Sequence, residues 1–220
     1  MLNLIRAVIF DMDGLMFDTE RISKTAWGIA GKECGIDNGE ELIYSALGRS
    51  RAEISVMLRQ TCGEEFPCER FLNRRVEIMD TIIAKDGLPV KPGLYALLDF
   101  LEENGYRKSV ATSTRRGHAM QYFEMANIAT RFDAIATGDM VTRGKPFPDV
   151  FLKSCELLGE APENCLALED SLNGIRAAAN GKLQPFMVPD LVPPDQATLA
   201  LLCGKGTSLL DVISFLQQQQ

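Results

Sequence analysis

Short apolar runs alternate with amphipathic helical stretches through the second half of the chain, and few architectures accept that order. From Pro92 onward, Leu94, Leu97, Leu98 and Leu101 form a helical stripe that stops at Gly105. A strand over 107–111, a helix over 116–126 and a strand over 132–136 follow. A helix ending at Leu158, with Gly159 as its stop, leads to a strand over 165–168. A helix over 172–180, a strand over 186–188 and a C-terminal helix from about Leu209 complete the series. Strands separated by helices predict a parallel sheet with right-handed crossovers. The run Ala7, Val8, Ile9, Phe10 supplies one more buried strand.

Between Gly14 and Gly87 no strong strand is read. Asp18 is expected to cap a helix over 21–33 that stops at Gly35, and further helices are expected over 51–60 and 69–84. Phe71, Leu72, Val76, Met79, Ile82 and Ile83 give the last one an apolar face. Asp86-Gly87 with Pro89 and Pro92 marks the exit of this insertion. The expected organisation is therefore α/β, with a parallel-sheet core over 1–16 and 88–220 and a helical unit over 17–87.

A chain of 220 residues, 46% hydrophobic and 24% charged, can hold such a core with a smaller inserted unit. The net charge of −7, with no basic cluster, excludes a nucleic-acid surface. No stretch approaches the roughly 20 apolar residues of a membrane helix. Charged Arg6 and Asp11 leave no room for a signal peptide's apolar core, and the six cysteines show no Cys-x-x-Cys pair. Scattered thiols of this kind point to the cytoplasm. Nothing in the sequence sets the oligomeric state, and a monomer suffices. The glutamines at 217–220 read as a frayed tail.

In open parallel sheets, ligands bind beyond the carboxyl ends of the strands. The residues placed there are Asp11 and Asp13, Thr112 and Ser113, and Glu169 and Asp170, with Lys145 on a loop stiffened by Pro146 and Pro148. Asp11 and Asp13, two apart, leave the first strand on the same side, and two such carboxylates suit a hard cation or nucleophilic and acid–base work. Each group has a plainer reading alone. Asp-x-Asp can be an acidic turn, Thr112 or Ser113 a cap for the helix near Arg116, Lys145 a surface lysine, and Asp170 or Ser171 a cap for the helix from Leu172.

The string from Val8 to Thr19, with Thr112, Gly144-Lys-Pro-x-Pro-Asp149 and Glu169-Asp-Ser-x-x-Gly-Ile175, resembles the four motifs of the haloacid dehalogenase superfamily. It is most similar to the β-phosphoglucomutase-like phosphatase and phosphomutase branch. The resemblance implies a Rossmann-like core, an inserted helical cap and Mg²⁺-dependent phosphoryl transfer through an aspartyl phosphate. It implies Asp11 as nucleophile and Asp13 as general acid/base, with Thr112 and Lys145 binding the transferring group; Ser113, which follows the same apolar strand as Thr112, can hold a phosphoryl oxygen through its hydroxyl and N–H. It implies a metal held by Asp11, the Asp13 carbonyl and Asp170, with Glu169 ligating or close behind. Ser23 and Leu47 stand where the resembling mutases carry His and Lys, whereas Arg51 matches their cap-loop Arg. These departures favour a phosphatase for a small phosphorylated metabolite, such as a sugar phosphate. A sugar phosphomutase and a non-catalytic phospho-ligand-binding protein are the alternatives. His118 reads as a surface residue, Trp27 as cap packing, and Arg51 as a cap residue able to reach a substrate.

Overall fold

The computed structural model describes residues 4–47 and 49–219. Gly48 of the expected cap loop and Gln220 of the tail lie outside the described residues. Six strands, β1 (Ala7–Phe10), β2 (Arg107–Ala111), β3 (Ala134–Ala136), β4 (Cys165–Glu169), β5 (Gln184–Met187) and β6 (Gly204–Lys205), form one sheet. Their order is β3-β2-β1-β4-β5-β6, every pair parallel, with Phe10 beside Val110 on one side and Leu168 on the other. The chain steps outward from β1 to β3, then returns to the far side of β1 as β4. That reversal opens a crevice where the carboxyl ends of β1 and β4 lie side by side.

Period-two alternation divides the strand side chains between two apolar layers. Val8, Phe10, Val110, Leu166 and Leu168 pack in one layer with α5 (Leu94–Glu103), α6 (Arg116–Met125) and α10 (Leu210–Gln217). Ala7, Ile9, Ala111 and Ala167 pack in the other with α7 (Asp149–Leu158) and α8 (Leu172–Asn180), where small side chains let the helices approach closely. Phe10 meets Phe132 edge-on at 5.6 Å, and Phe132 stacks on Phe123 at 5.8 Å. Each fully buried side chain of this size stabilises the fold by about 1.5–3 kcal/mol.

Four helices, α1 (Thr19–Glu33), α2 (Gly39–Ala46), α3 (Arg51–Cys62) and α4 (Cys68–Asp86), form a bundle with its own apolar cluster. Trp27 is wholly buried there against Phe71, ring centroids 4.9 Å apart, so packing accounts for it. Ser50 and Glu53 close a capping box that starts α3. The two chain passages between bundle and sheet run antiparallel. Phe17 bridges Val90, the Asp18 N–H donates to Pro89 O at 2.8 Å, and the Lys91 N–H donates to Met16 O at 2.9 Å.

Several expectations shift. Asp18 stands at the N-cap of α1 without a side-chain cap bond, because its carboxylate pairs instead with Arg21 and Lys91. β3 begins at Ala134, since Phe132 turns into the core. β5 begins at Gln184 and ends at Met187, before Val188. α2, β6 and a short helix α9 (Gln196–Leu199) carry too little pattern of their own to be read from the sequence. Gln217 is helical, and the Gln218 and Gln219 N–H groups bond Phe215 O and Leu216 O, so the tail is ordered that far.

Candidate active site

The strand ends deliver the acidic residues to one place. β1 stops at Phe10 and β4 at Glu169, so Asp11 and Asp170 leave neighbouring strands. Carboxylate oxygens of Asp11, Glu169 and Asp170, all buried, lie within 4.8 Å of one another. Gly14 makes the approach possible: it has φ +85°, and a Cβ there would stand 2.3 Å from an Asp170 oxygen.

Lys145 is 1% exposed, and its ammonium donates to both Asp11 Oδ1 and Glu169 Oε1. The surface-lysine reading therefore fails. Its Nζ also lies 4.9 Å from the centre of the Phe151 ring. Burial alone would lower the lysine's pKa, but the two carboxylates hold it above the usual value. Burial pushes Asp11 well above the usual carboxylate range, against the pull of Lys145. Burial raises Asp170 too, reinforced by the charges of Glu169 and Asp11. One cation thus faces three carboxylates, an excess of negative charge in an all-oxygen pocket. Such a donor set fits a hard divalent cation.

The Asp13 carboxylate lies apart from this cluster. It accepts from Thr19 Oγ1 and from Thr114 Oγ1, each at 2.7 Å, and borders the cleft. Glu169 is pinned by more than Lys145. Its Oε2 accepts from the Asp170 and Ser171 N–H groups, both at 3.1 Å, and from Ser171 Oγ at 3.0 Å. Ser171 Oγ in turn accepts from Gly174 N and caps α8, which leaves Asp170 free of capping duty.

Thr112 and Ser113 are likewise not caps. The first N–H of α6, that of Arg116, is taken by Asp139 Oδ1 at 3.1 Å. The Thr112 N–H is used by Ala136 O, and its hydroxyl oxygen accepts from Thr114 N at 3.0 Å, leaving the O–H as a donor.

These groups form the floor of a cleft of about 840 Å³ roofed by the helical bundle. Ser23, Leu47 and Arg51 line it, but the Arg51 guanidinium is tied to Glu69 at 3.0 Å and Asn73 at 2.7 Å. His118 is not simply a surface residue. It lines the cleft, rests against Tyr122 and places Nε2 3.5 Å from Asp80 Oδ1 of the bundle. Sequence reasoning gave no role to Thr19, Glu20, Arg75 or Thr114. Thr114 alone carried a signal, as the third hydroxyl of the run after β2.

A buried lysine bridging two carboxylates at the switch point of a parallel sheet defines an acid-rich site able to hold a hard cation. Residues 5–182 match the model of the haloacid dehalogenase-like hydrolases, and the chain belongs to that family as an enzyme. It is 29% identical over 180 residues to the phosphorylated carbohydrates phosphatase of Thermotoga maritima, covering 82% of this chain and 83% of that one. It is also 29% identical to hexitol phosphatase B of Escherichia coli, over 94% of each chain. The β-phosphoglucomutase structure from Clostridium difficile superposes with a TM-score of 0.83 at 23% identity, over 98% of this chain and 97% of that one, a likeness of fold.

Proposed function

We propose that this enzyme is a Mg²⁺-dependent phosphatase that hydrolyses a small phosphorylated sugar or sugar alcohol through a phosphorylated Asp11. The observation that carries the reading is the unlike treatment of the two aspartates. Asp11 sits in the carboxylate cluster against Lys145, whereas Asp13 is held at the cleft by two threonine hydroxyls. One is set up to bond phosphorus, the other to move a proton.

In this mechanism the Asp11 carboxylate attacks phosphorus, the ester P–O bond breaks, and Asp13 gives its proton to the departing alcohol oxygen. Water then attacks the aspartyl phosphate as Asp13 takes a proton back, and phosphate leaves with Asp11 restored. Lys145, the Thr112 hydroxyl and Ser113 hold the phosphoryl oxygens in line. When bound to Asp11, Asp170 and the Asp13 carbonyl, with Glu169 behind, Mg²⁺ offsets negative charge on the transferring group. The helices of residues 17–87 act as a cap that excludes bulk water and carries the groups that choose the substrate.

Ser23 and Leu47, both lining the cleft, favour hydrolysis over a phosphomutase. Neither supplies the charged or imidazole group that would hold a sugar for return transfer. Both curated relatives described above are named as phosphatases of phosphorylated sugars or hexitols, which supports the same choice. The six unpaired cysteines suit a reducing compartment such as the cytoplasm, and one chain completes the cleft, so a monomer suffices.

Asp11→Asn tests the reading. The amide cannot form the acyl phosphate, so Mg²⁺-dependent release of phosphate should vanish while thermal unfolding stays cooperative. Retained steady-state turnover would exclude the covalent route. Accumulation of glucose 6-phosphate from β-glucose 1-phosphate faster than inorganic phosphate would make the enzyme a mutase.

A further inference from the structure

Two ionisable side chains in the cleft take no part in the chemistry just described. Glu20 follows Thr19 in the first turn of α1 and lies close to Gly14, beside Asp13. Arg75 reaches the same cleft from α4. Among the described residues neither makes a hydrogen bond or an ion pair, and Arg75 Nε is buried without a partner. The two charges act on one another, since each shifts the other's titration, yet the gap between them is wider than an ion pair spans. Burial and the Asp13 charge push Glu20 up to about 8, and burial pulls Arg75 below its usual value. A half-buried guanidinium with an unpartnered Nε, facing a half-buried carboxyl that bonds nothing, is costly, and a ligand between them would relieve the cost.

The chemistry of the pair restricts that ligand. A glutamate carboxyl accepts hydrogen bonds and, while it keeps its proton, also donates one, whereas a guanidinium only donates, so the ligand must offer groups that both donate and accept on one side and acceptors on the other. Adjacent hydroxyls do both. An apolar or aromatic group would desolvate both charges and bond neither. A second phosphate would suit Arg75 but meet repulsion from Asp13, and Arg51 is already neutralised by Glu69. We infer that Glu20 and Arg75 form a subsite that reads the hydroxyls of the carbon chain, so that the enzyme selects a polyhydroxylated monophosphate over an unsubstituted phosphate ester or a bisphosphate. Glu20 accepts from hydroxyls near the ester, and Arg75 donates to oxygens further along. The inference rests on the phosphomonoesterase reading and deepens it.

The test compares sorbitol 6-phosphate with hexyl phosphate, which have the same carbon count and differ in hydroxyls, and uses the full chain with Mg²⁺. Wild-type kcat/KM should favour the hydroxylated ester by about 100-fold or more. Glu20→Ala and Arg75→Ala should each cut that ratio at least about tenfold, the loss expected when a buried polar partner is removed. Isosteric Glu20→Gln and charge-keeping Arg75→Lys, each checked by thermal unfolding, guard against a folding failure and should give smaller losses. An unchanged ratio in both alanine variants, or a wild-type enzyme indifferent to the hydroxyls, overturns the inference. A bisphosphate preferred over sorbitol 6-phosphate overturns it as well. Failure of the wild type on both monoesters, with aryl phosphate also inert, instead removes the phosphatase reading and the subsite with it.

Discussion

Gly174 lies in the first turn of α8 and touches no substrate, yet substituting it should disable the site. An alanine Cβ there would stand 1.9 Å from Glu169 Cδ and Oε1 and 2.2 Å from Oε2. Non-bonded heavy atoms rest at about 3.5–4.0 Å, so the carboxylate would have to retreat by roughly 1.5–2 Å. It cannot do so and still accept from the Asp170 and Ser171 N–H groups and bridge Lys145. Hydrogen bonds to a charged group contribute about 1.5–3 kcal/mol each, while alanine in a helix gains at most about 1 kcal/mol over glycine. Losing two such bonds predicts a net destabilisation of about 2–5 kcal/mol and a fall in Tm of roughly 4–20 °C for a chain of this size. Gly117, in the first turn of α6 with no atom within 4 Å of its missing Cβ, is the matched control. Gly117→Ala should be neutral or stabilising by up to about 1 kcal/mol. Calorimetry of both variants, with phosphatase assays across Mg²⁺ concentrations, reads the difference. If Gly174→Ala melts with or above Gly117→Ala and keeps its Mg²⁺ response, Glu169 is not positioned as argued.

Thr114→Val removes one of the two hydroxyls on Asp13, so kcat should fall about 10- to 100-fold while Tm moves by only a few degrees. Unchanged kcat would separate Thr114 from the proton step. In metal-free protein, the raised Asp11, Asp170 and Glu20 carboxyls let the native chain hold more protons than the unfolded one. Stability should therefore fall as pH rises from about 5 to about 8, and Mg²⁺ should raise Tm more at the upper end. A Mg²⁺ effect that is equal at both ends would contradict this. Chelation should abolish turnover, and Ca²⁺ should restore little of it, because its looser coordination misplaces the attacking carboxylate. The bundle should open about the Phe17 and Val90 passages, breaking the His118–Asp80 contact and the Asn173–Leu47 bond that cross the cleft. Identical solution scattering with and without Mg²⁺ and a phosphate-mimicking anion would count against that motion.

The sheet and most of the floor of the site were legible because local rules fix them. A short apolar run that ends in polar residues says where a strand stops and which side chains leave it together, and that placed Asp11, Thr112, Glu169 and Asp170. The bundle roof was harder to read. Arg75 occupies an ordinary polar position in an amphipathic helix, and only the packing of α4 over the sheet turns it toward the cleft. Thr114 and Asp13 meet across 101 residues, a separation at which no periodicity survives. β6 spans two residues and exists because β5 offers it an edge.

Competition for hydrogen bonds was the other hidden variable, and the two suspected capping positions show how it decides function. Asp18 and Asp170 both precede helices and read alike. Asp18 gives up capping because Arg21, three residues on, and Lys91, from across the chain, hold its carboxylate, and α1 starts without a side-chain cap. Asp170 escapes for the opposite reason, since Ser171 takes the cap itself. Had Asp170 accepted from the N–H groups of α8, its lone pairs would have been spent there. Only Asp11 and Glu169 would then remain beside Lys145 with an oxygen turned into the cluster, where three carboxylates now stand. The serine hydroxyl after Asp170 thus keeps a third carboxylate available, and with it the excess charge that a divalent cation requires.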